Sequence, residues 1–571
     1  MNRRLLETAQ GKRPAERVFR DAEVLNVFTG EWRREDVAVS DSVIVGVGRY
    51  NGEEVVDCRG KALVPGFIDA HLHVESTMLP PSAMAAEVLP SGTTALIADP
   101  HEIANVAGLD GIRFMLEQAR SLPLRLFVML PSCVPATRWE QGGAVLDADA
   151  LRSLMDEPGI LGLGEMMDFP AVCAGEPEVL AKLEAFSGRM IDGHAPLLSG
   201  GALQAYRLAG IDTDHECSDG AEALEKLRAG FAVLVREGSA AHNLETILTA
   251  VKEAGLGYDR LAFCTDDKHI EDIRRDGHIR HNIREAIRLG VPAAEAYRMA
   301  SWNAARIYGL RDCGAVAAGY RADLVLLDDA EEVTVRAVYT GGVCRWERDG
   351  RCGESPASAA VPASLMHMVR IGEEKTEKPA SQRFALPVPA DGRLPVIELI
   401  PRQINTRRRL AEVPQKDGFF TAGDGYLKAA VLERHHATGR VGLGAVYGLG
   451  LRGTAASTVA HDSHNLIVLG DRDEDMALAV RELERCGGGY TLVRDGKVLA
   501  TLPLPIAGLM ADRPADEVNE ILHRMSALAR EMGVPDCYDP FQTMSFLSLP
   551  VIPELRLTDR GVFDVEEQRY W

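Results

Sequence analysis

The stretch V-P-G-F-I-D-A-H-L-H-V-E-S, residues 64–76, sets Asp69, His71, His73 and Glu75 at every second position after an apolar run. In extended backbone, residues two apart point the same way, so the imidazoles of His71 and His73 aim at one spot. Two imidazoles converging at a strand end are the start of a metal site. The other donors stand at the ends of other short apolar runs. Glu165 closes I-L-G-L-G-E, His194 closes R-M-I-D-G-H, His215 sits in G-I-D-T-D-H-E and Asp266 in R-L-A-F-C-T-D-D. Four imidazoles and two carboxylates form a mixed nitrogen and oxygen set suited to two divalent ions sharing a bridge. The lack of thiolate ligands favours Mn²⁺, Fe²⁺ or Zn²⁺ over a structural zinc site. Any one of these histidines alone reads as a polar surface or capping residue; six such donors, four imidazoles and two carboxylates, in register with strand ends read as a metal centre.

The runs that would position these residues recur through the middle of the chain, each followed by a helix-like stretch. They cover 62–73, 94–102, 125–133, 160–167, 189–194, 210–216, 231–239 and 260–267. Eight such units predict an α/β fold, a (β/α)₈ barrel over about 60–311, with the chemistry where the strands end. Short strand-like runs in 1–59 and again in 312–353 bracket this middle and are expected to pair into one small β domain. Residues 1–20 read as a polar, partly helical leader. The Ser/Ala/Pro-rich 354–363 reads as a linker, and 365–571 as a further α+β domain with strands at V-G-L-G-A-V-Y-G-L and N-L-I-V-L-G and a helix at D-M-A-L-A-V-R-E-L-E-R.

Composition narrows the partners. The 571 residues carry a formal net charge of −21, which repels nucleic acid and anionic membranes and points to a small substrate that is not strongly anionic. No apolar run reaches membrane-spanning length, and M-N-R-R-L-L-E-T lacks a signal-peptide core. Ten cysteines scattered without C-x-x-C spacing fit a reducing cytoplasm. Two motifs mislead. Residues 448–453 spell G-x-G-x-x-G, yet no amphipathic helix follows, which argues against a dinucleotide site. His73-Val74-Glu75 spells the H-x-E of small zinc deaminases, but their P-C-x-x-C partner is absent.

The opening stretch resembles the P-G-F-I-D-x-H-x-H entry of the amidohydrolase superfamily, and A-A-G-Y-R-A-D-L-V-L-L-D resembles that superfamily's return to its β domain. More narrowly, the chain resembles the Ade-type bacterial adenine deaminases. The residues carrying this are H-L-H-V-E-S-T-M (71–78), D-P-H-E-I-A-N-V (99–106), G-E-M-M-D-F-P (164–170), D-G-H-A-P (192–196), R-E-G-S-A (236–240), C-T-D-D (264–267), H-D-S-H-N (461–465) and L-P-L-P-I-A-G-L-M (502–510). The likeness runs from about residue 20 to the C-terminus.

The resemblance implies two divalent ions, Mn²⁺ first among them, one on His71 and His73, the other on His194 and His215. Glu165 would bridge them where many relatives use a carbamylated lysine, and Asp266 would join the first ion and take a proton from the attacking water. The implied reaction is hydrolysis of adenine to hypoxanthine and ammonia in purine salvage, by a cytoplasmic homodimer. His101 and Glu102 become candidates for proton traffic at the ring nitrogen and the leaving amine; alternatively D-P-H-E is a turn, with Asp99 capping the next helix. Arg236, Glu237 and Ser239 are candidates to bind the purine edge, or else form a strand-end salt bridge. His461 and His464 would come over the barrel mouth to meet substrate or metal, unless H-D-S-H-N is a self-satisfied turn. Two other functions stand beside this one: another amidohydrolase acting on a cyclic amide or amidine, and a metal-free scaffold.

Overall fold

The computed structural model describes residues 3–239, 241–350, 352, 359–372 and 379–571. The first part of the expected linker, 354–358, lies outside the described residues, as does Ala240. Among the described residues no helix is long and apolar enough to cross a membrane.

The run 62–73, expected as one strand, is two. Ala62–Pro65 joins an eight-stranded sheet beside Ala15–Asn26 and Leu324–Asp329, while Phe67–Leu72 (β1) starts a second, parallel sheet. Gly66 makes the switch possible, because a side chain there would collide with Thr94. Its amide donates to Asp323 O at 2.9 Å, fastening the switch point to the returning strand. The first sheet therefore contains both the N-terminal strands (Glu31–Ser40, Val43–Gly48, Gly52–Asp57) and the late ones (Thr334–Thr340, Val343–Glu347). Residues 1–20 are also only partly a leader: the helix Arg3–Ala9 is short, and Ala15–Asn26 is already strand. Its Ala15, Val18, Phe19 and Ala22 are fully buried, a pattern masked in the sequence by a bulge between Phe19 and Ala22.

After β1 come Thr93–Ala98 (β2), Arg125–Leu130 (β3), Ile160–Met166 (β4) and Met190–Gly193 (β5), hydrogen-bonded in chain order as one parallel sheet. Thr213–Asp214 (β6), Ala232–Arg236 (β7) and Leu261–Cys264 (β8) form another. The two sheets meet at both edges. Asp212 N donates to Ile191 O beside β5, and Leu72 bridges Asp266 in parallel where β8 returns to β1. Helices follow most strands, as parallel connections require.

The last part of the chain builds an eight-stranded sheet in the order Thr406–Glu412, Arg393–Leu399, Val441–Tyr447, Tyr426–Leu432, Leu466–Gly470, Thr454–Ser457, Gly489–Arg494, Lys497–Pro503. The helix Asp473–Cys486 lays Met476, Val480 and Leu483 on it, against Leu466 and Val468. The G-x-G-x-x-G run leads into the strand Thr454–Ser457, not a helix. This part docks on the parallel strands through a motif identified in the sequence: Ala511, just beyond L-P-L-P-I-A-G-L-M, donates its amide to Met78 O at 2.8 Å, in the loop that follows H-L-H. One apolar cluster is continuous from Leu72, Met78 and Leu79 to Leu504, Ile506, Leu509 and Met510. Leu509→Ala removes buried side-chain volume at this junction, a loss worth about 2–5 kcal/mol. We expect the thermal unfolding midpoint to fall by several degrees, with both regions melting together in circular dichroism; an unchanged midpoint would show that the junction contributes nothing.

Candidate metal centre

His71 is the penultimate residue of β1 and His73 directly follows the strand. Their backbones are joined to the residue after β8, with Asp266 N donating to His71 O (3.0 Å) and His73 N donating to Asp266 O (3.2 Å). Asp266 takes a left-handed backbone (φ 56°) and brings its Oδ1 3.1 Å from His73 Nε2 and 3.6 Å from His71 Nε2. His73 Nδ1 lies 2.9 Å from Asp99 O, which makes Nδ1 the protonated nitrogen and leaves the Nε2 lone pair directed at the cluster.

Glu165, on β4, is divided between the two histidine pairs. Its Oε1 lies 3.4 Å from His73 Nε2 and 3.8 Å from His71 Nε2, while Oε2 lies 2.6 Å from His194 Nδ1 and 3.4 Å from His215 Nε2. The carboxylate is backed by Asp99, whose Oδ2 accepts from Glu165 N at 2.8 Å. Gly164 permits this approach, since any side chain there would overlap the Asp99 carboxylate. Asp99 is thus not the helix cap considered from sequence. Pro100 is the N-cap of His101–Ala119 and supplies no side-chain bond.

His194 and His215 follow β5 and β6. His194 N accepts no chance placement: it donates to Tyr206 OH (3.0 Å), which donates onward to Met166 O (2.6 Å). Lys226, with no exposed surface, donates to Ala195 O (2.8 Å), Asp214 Oδ2 (2.6 Å) and Glu222 Oε1 (2.8 Å), and Ala195 N returns a bond to Asp214 Oδ1 (2.8 Å). The neighbours of both histidines are therefore pinned to one ammonium. Nothing in A-E-A-L-E-K-L-R marks Lys226 apart from an ordinary amphipathic helix. Glu216 was missed as well, although it directly follows His215; its Oε1 lies 3.5 Å from His215 Nε2 and is paired with Arg236.

All six predicted donors are buried, none more than 8% exposed. Burial opposes the charge on Glu165, yet the imidazoles of His101, His194 and His215 close around it hold its carboxyl well below the usual range. For His215, burial acts to lower the pKa, and Glu165 outweighs it and raises the ring to about 9. Both ring nitrogens of His71 and of His215, and Glu165 Oε1, have no hydrogen-bond partner although fully buried. Buried polar atoms are almost always satisfied. Here the unsatisfied ones are donor atoms of three-residue groups, such as His71/His215/Asp266 and His71/His73/Glu165, whose ligand atoms lie within 4.8 Å of one another. The residues fit divalent cations.

The other predicted residues divide. His101 belongs to the centre, its Nδ1 3.2 Å from Glu165 Oε1. Arg236 is buried with Nη1 2.9 Å from Asp266 Oδ2, so it braces the ligand carboxylate. Glu237 accepts from His242 Nδ1 (2.7 Å), and Ser239 Oγ bonds Asp272 and accepts from His269 N (2.8 Å); both are engaged in shaping the loop after β7. Glu102 lies under the H-D-S-H-N segment, with Oε1 2.7 Å from His461 Nδ1 and Oε2 against His464 Nε2. That segment is not a self-satisfied turn. Arg434 Nε donates to His464 O, the His435 ring reaches Ser463 O (2.7 Å), and Asn465 Nδ2 donates across to Gln141 O (2.9 Å). His464, expected to touch substrate, is fully buried with Nδ1 on Ala460 N and Nε2 against Glu102, so neither ring nitrogen is open to a substrate.

Parallel strands whose ends carry this donor set define a hydrolase of the amidohydrolase class, and residues 62–344 match the amidohydrolase family. Residues 403–569 match the adenine deaminase C-terminal domain. The chain is 46% identical to the adenine deaminase of Desulfitobacterium hafniense over 569 residues, covering 100% of this chain and 98% of that one. It is 47% identical to the adenine deaminase of Nitratidesulfovibrio vulgaris (98% and 97% covered) and 42% identical to that of Bacillus licheniformis (99% and 98%). The chain belongs to the adenine deaminase family.

Lys226→Met would leave Asp214 buried without its countercharge, at a cost of about 3–5 kcal/mol. We expect a lower melting temperature and, by elemental analysis, a lower divalent-metal content. Full metal content at unchanged stability would show that Lys226 does not position His194 and His215.

Proposed function

We propose that the centre hydrolyses adenine to hypoxanthine and ammonia, with two divalent ions, Mn²⁺ foremost, held by His71, His73, Glu165, His194, His215 and Asp266. The observation that carries this is the division of Glu165, one oxygen toward each histidine pair, which is the placement a bridging carboxylate needs. We read the eight parallel strands as a (β/α)₈ barrel over about 60–311, flanked by a β domain from 1–59 and 312–353 and followed by the domain 365–571. The bound ions would supply Lewis acidity, bringing the pKa of water from roughly 16 toward about 7.

The chain's own groups then handle protons. Asp266 Oδ1 faces the first histidine pair and Oδ2 is tied to Arg236. Burial disfavours its charge, but His71, His73 and Arg236 outweigh that and hold its pKa well below the usual range. Such a carboxylate accepts the proton of the attacking water and releases it again, acting as a shuttle. Addition at C6 requires a proton on ring nitrogen N1, and we place His101 on that path, with Glu102 beside it (Oε1 3.4 Å from His101 Nε2). Arg236 acts through Asp266, and His461 is the member of the C-terminal segment placed to meet the purine; Glu237 and Ser239 shape the loop beside it.

Apo-protein reconstituted with Mn²⁺ should convert adenine to hypoxanthine, followed by absorbance, with activity saturating at two ions per chain. Asp266→Asn that retains both ions should lose about 10²–10⁴-fold in kcat. Near-normal turnover by that variant would remove Asp266 from the reaction, and no adenine turnover by any reconstituted form would overturn the function.

A further inference from the structure

Glu102 gathers three imidazoles, one from its own helix and two from the C-terminal part of the chain. Its Oε1 lies 2.7 Å from His461 Nδ1 and 3.4 Å from His101 Nε2, and Oε2 is against His464 Nε2. Two histidines and a carboxylate have the composition of a further metal site. One backbone bond decides otherwise. Ala460 N donates to His464 Nδ1 at 3.1 Å, so Nδ1 presents its lone pair there and the ring proton sits on Nε2, facing Glu102. A nitrogen carrying a proton does not ligate a cation. The trio is therefore an ion-paired cluster in which both rings lie against the Glu102 carboxylate. Burial alone would neutralise this carboxyl; His461 and His464 hold it well below the usual carboxylate range.

With Nδ1–H committed to Glu102, the remaining proton site of His461 is Nε2. The ring stacks on Phe546, centroids 4.7 Å apart, and its amide is fixed by Ser545 O at 3.1 Å. The charged groups around it are Glu102, Asp462 (Oδ1 at 3.9 Å from Nδ1) and Asp267. Its side chain is 10% exposed, against 2% for Glu102 and 0% for His464. His461 is the member of the trio with an opening. An imidazole oriented by a carboxylate on one nitrogen and open at the other is the arrangement of a catalytic acid and base.

We propose that His461 is the catalytic acid that protonates the departing amino group, with Glu102 and His464 as positioning residues that fix its tautomer. This rests on the deamination reading above. After water has added at C6 and N1 has taken a proton, the C6–N bond breaks with its electron pair going to nitrogen. His461 Nε2–H supplies the proton, so that nitrogen leaves as ammonia rather than as an amide anion. The C6 oxygen gives up its own proton to form the carbonyl. That proton passes through the site's base to solvent, which recharges His461, and none is consumed overall. Against burial, which lowers it, Glu102 raises His461 to about 9, so the acid is charged at neutral pH and lost as pH rises through that value.

The test uses His461→Asn, Glu102→Gln and the parent enzyme, all metal-loaded, on adenine and on 6-chloropurine, whose chloride leaves without a proton. We expect His461→Asn to keep both ions, to lose about 10²–10⁴-fold in kcat on adenine and less than about tenfold on 6-chloropurine. We also expect it to lose the alkaline limb of the parent's kcat profile, and Glu102→Gln to move that limb to lower pH. Adenine turnover within about threefold of the parent, parallel losses on both substrates, or an unchanged alkaline limb would each overturn the proposal. A parent enzyme that fails on adenine would instead overturn the reading beneath it.

Discussion

Glu165 carries a negative charge to a place water does not reach, and much of the architecture follows from compensating that charge. Burying a carboxylate is unfavourable by several kcal/mol unless donors or cations surround it. Here His73, His101, His194 and His215 approach its two oxygens, and Glu165 N is anchored by Asp99. Those residues come from four different strand ends, so the carboxylate is satisfied only when the strands have assembled around it. The same placement leaves the rings of His71 and His215, stacked 4.0 Å apart, with unpaired nitrogens. Polar satisfaction is left incomplete at the point where cations would complete it.

The C-terminal region answers to a second buried carboxylate of the same kind. Glu102 sits one residue after His101 and so belongs to the metal centre's surroundings, yet two of its three imidazole neighbours lie some 360 positions away in sequence. The segment that brings them is itself overdetermined. Arg434 is fully buried, makes no ion pair among the described residues, and spends its guanidinium on the carbonyls of Thr458, His464 and Ala507. Burial without an ion pair lowers its pKa to about 9, an unfavourable state that persists because it fixes the loop. The docking of Ala511 on Met78, directly beyond H-L-H-V-E-S-T, ties the same region to the first metal pair.

What the sequence disclosed follows from how local each signal is. Period-two spacing made His71 and His73 visible, and a polar residue ending an apolar run made Glu165, His194, His215 and Asp266 visible, because both patterns are written within one strand. The helix Asp473–Cys486 and the strands around Val441–Tyr447 and Leu466–Gly470 were legible for the same reason. Functions set by a distant partner were not. Asp99 looked like a cap because Asp before a helix usually is one; its true partner, Glu165 N, is 66 residues on. Lys226 gains its meaning from Asp214 and Ala195 across a turn of structure, and Gly66 from the bulk of Thr94. Glu237 and Ser239 stand in the right loop but turn toward His242 and Asp272, a choice of rotamer that no motif encodes.

The choice of glutamate at 165 also bears on how the centre assembles. A carbamylated lysine becomes anionic only after reacting with CO₂, whereas a glutamate is anionic at neutral pH in the unfolded chain and must be compensated from the moment it is buried. In the folded protein its charge is compensated by the imidazoles around it, and burial alone would discharge those rings. Glu165 keeps His215 protonated up to about 9, so a cation entering the site must displace that proton. Metal uptake of the kind proposed would therefore depend on pH, favoured as protons leave rings already gathered around Glu165.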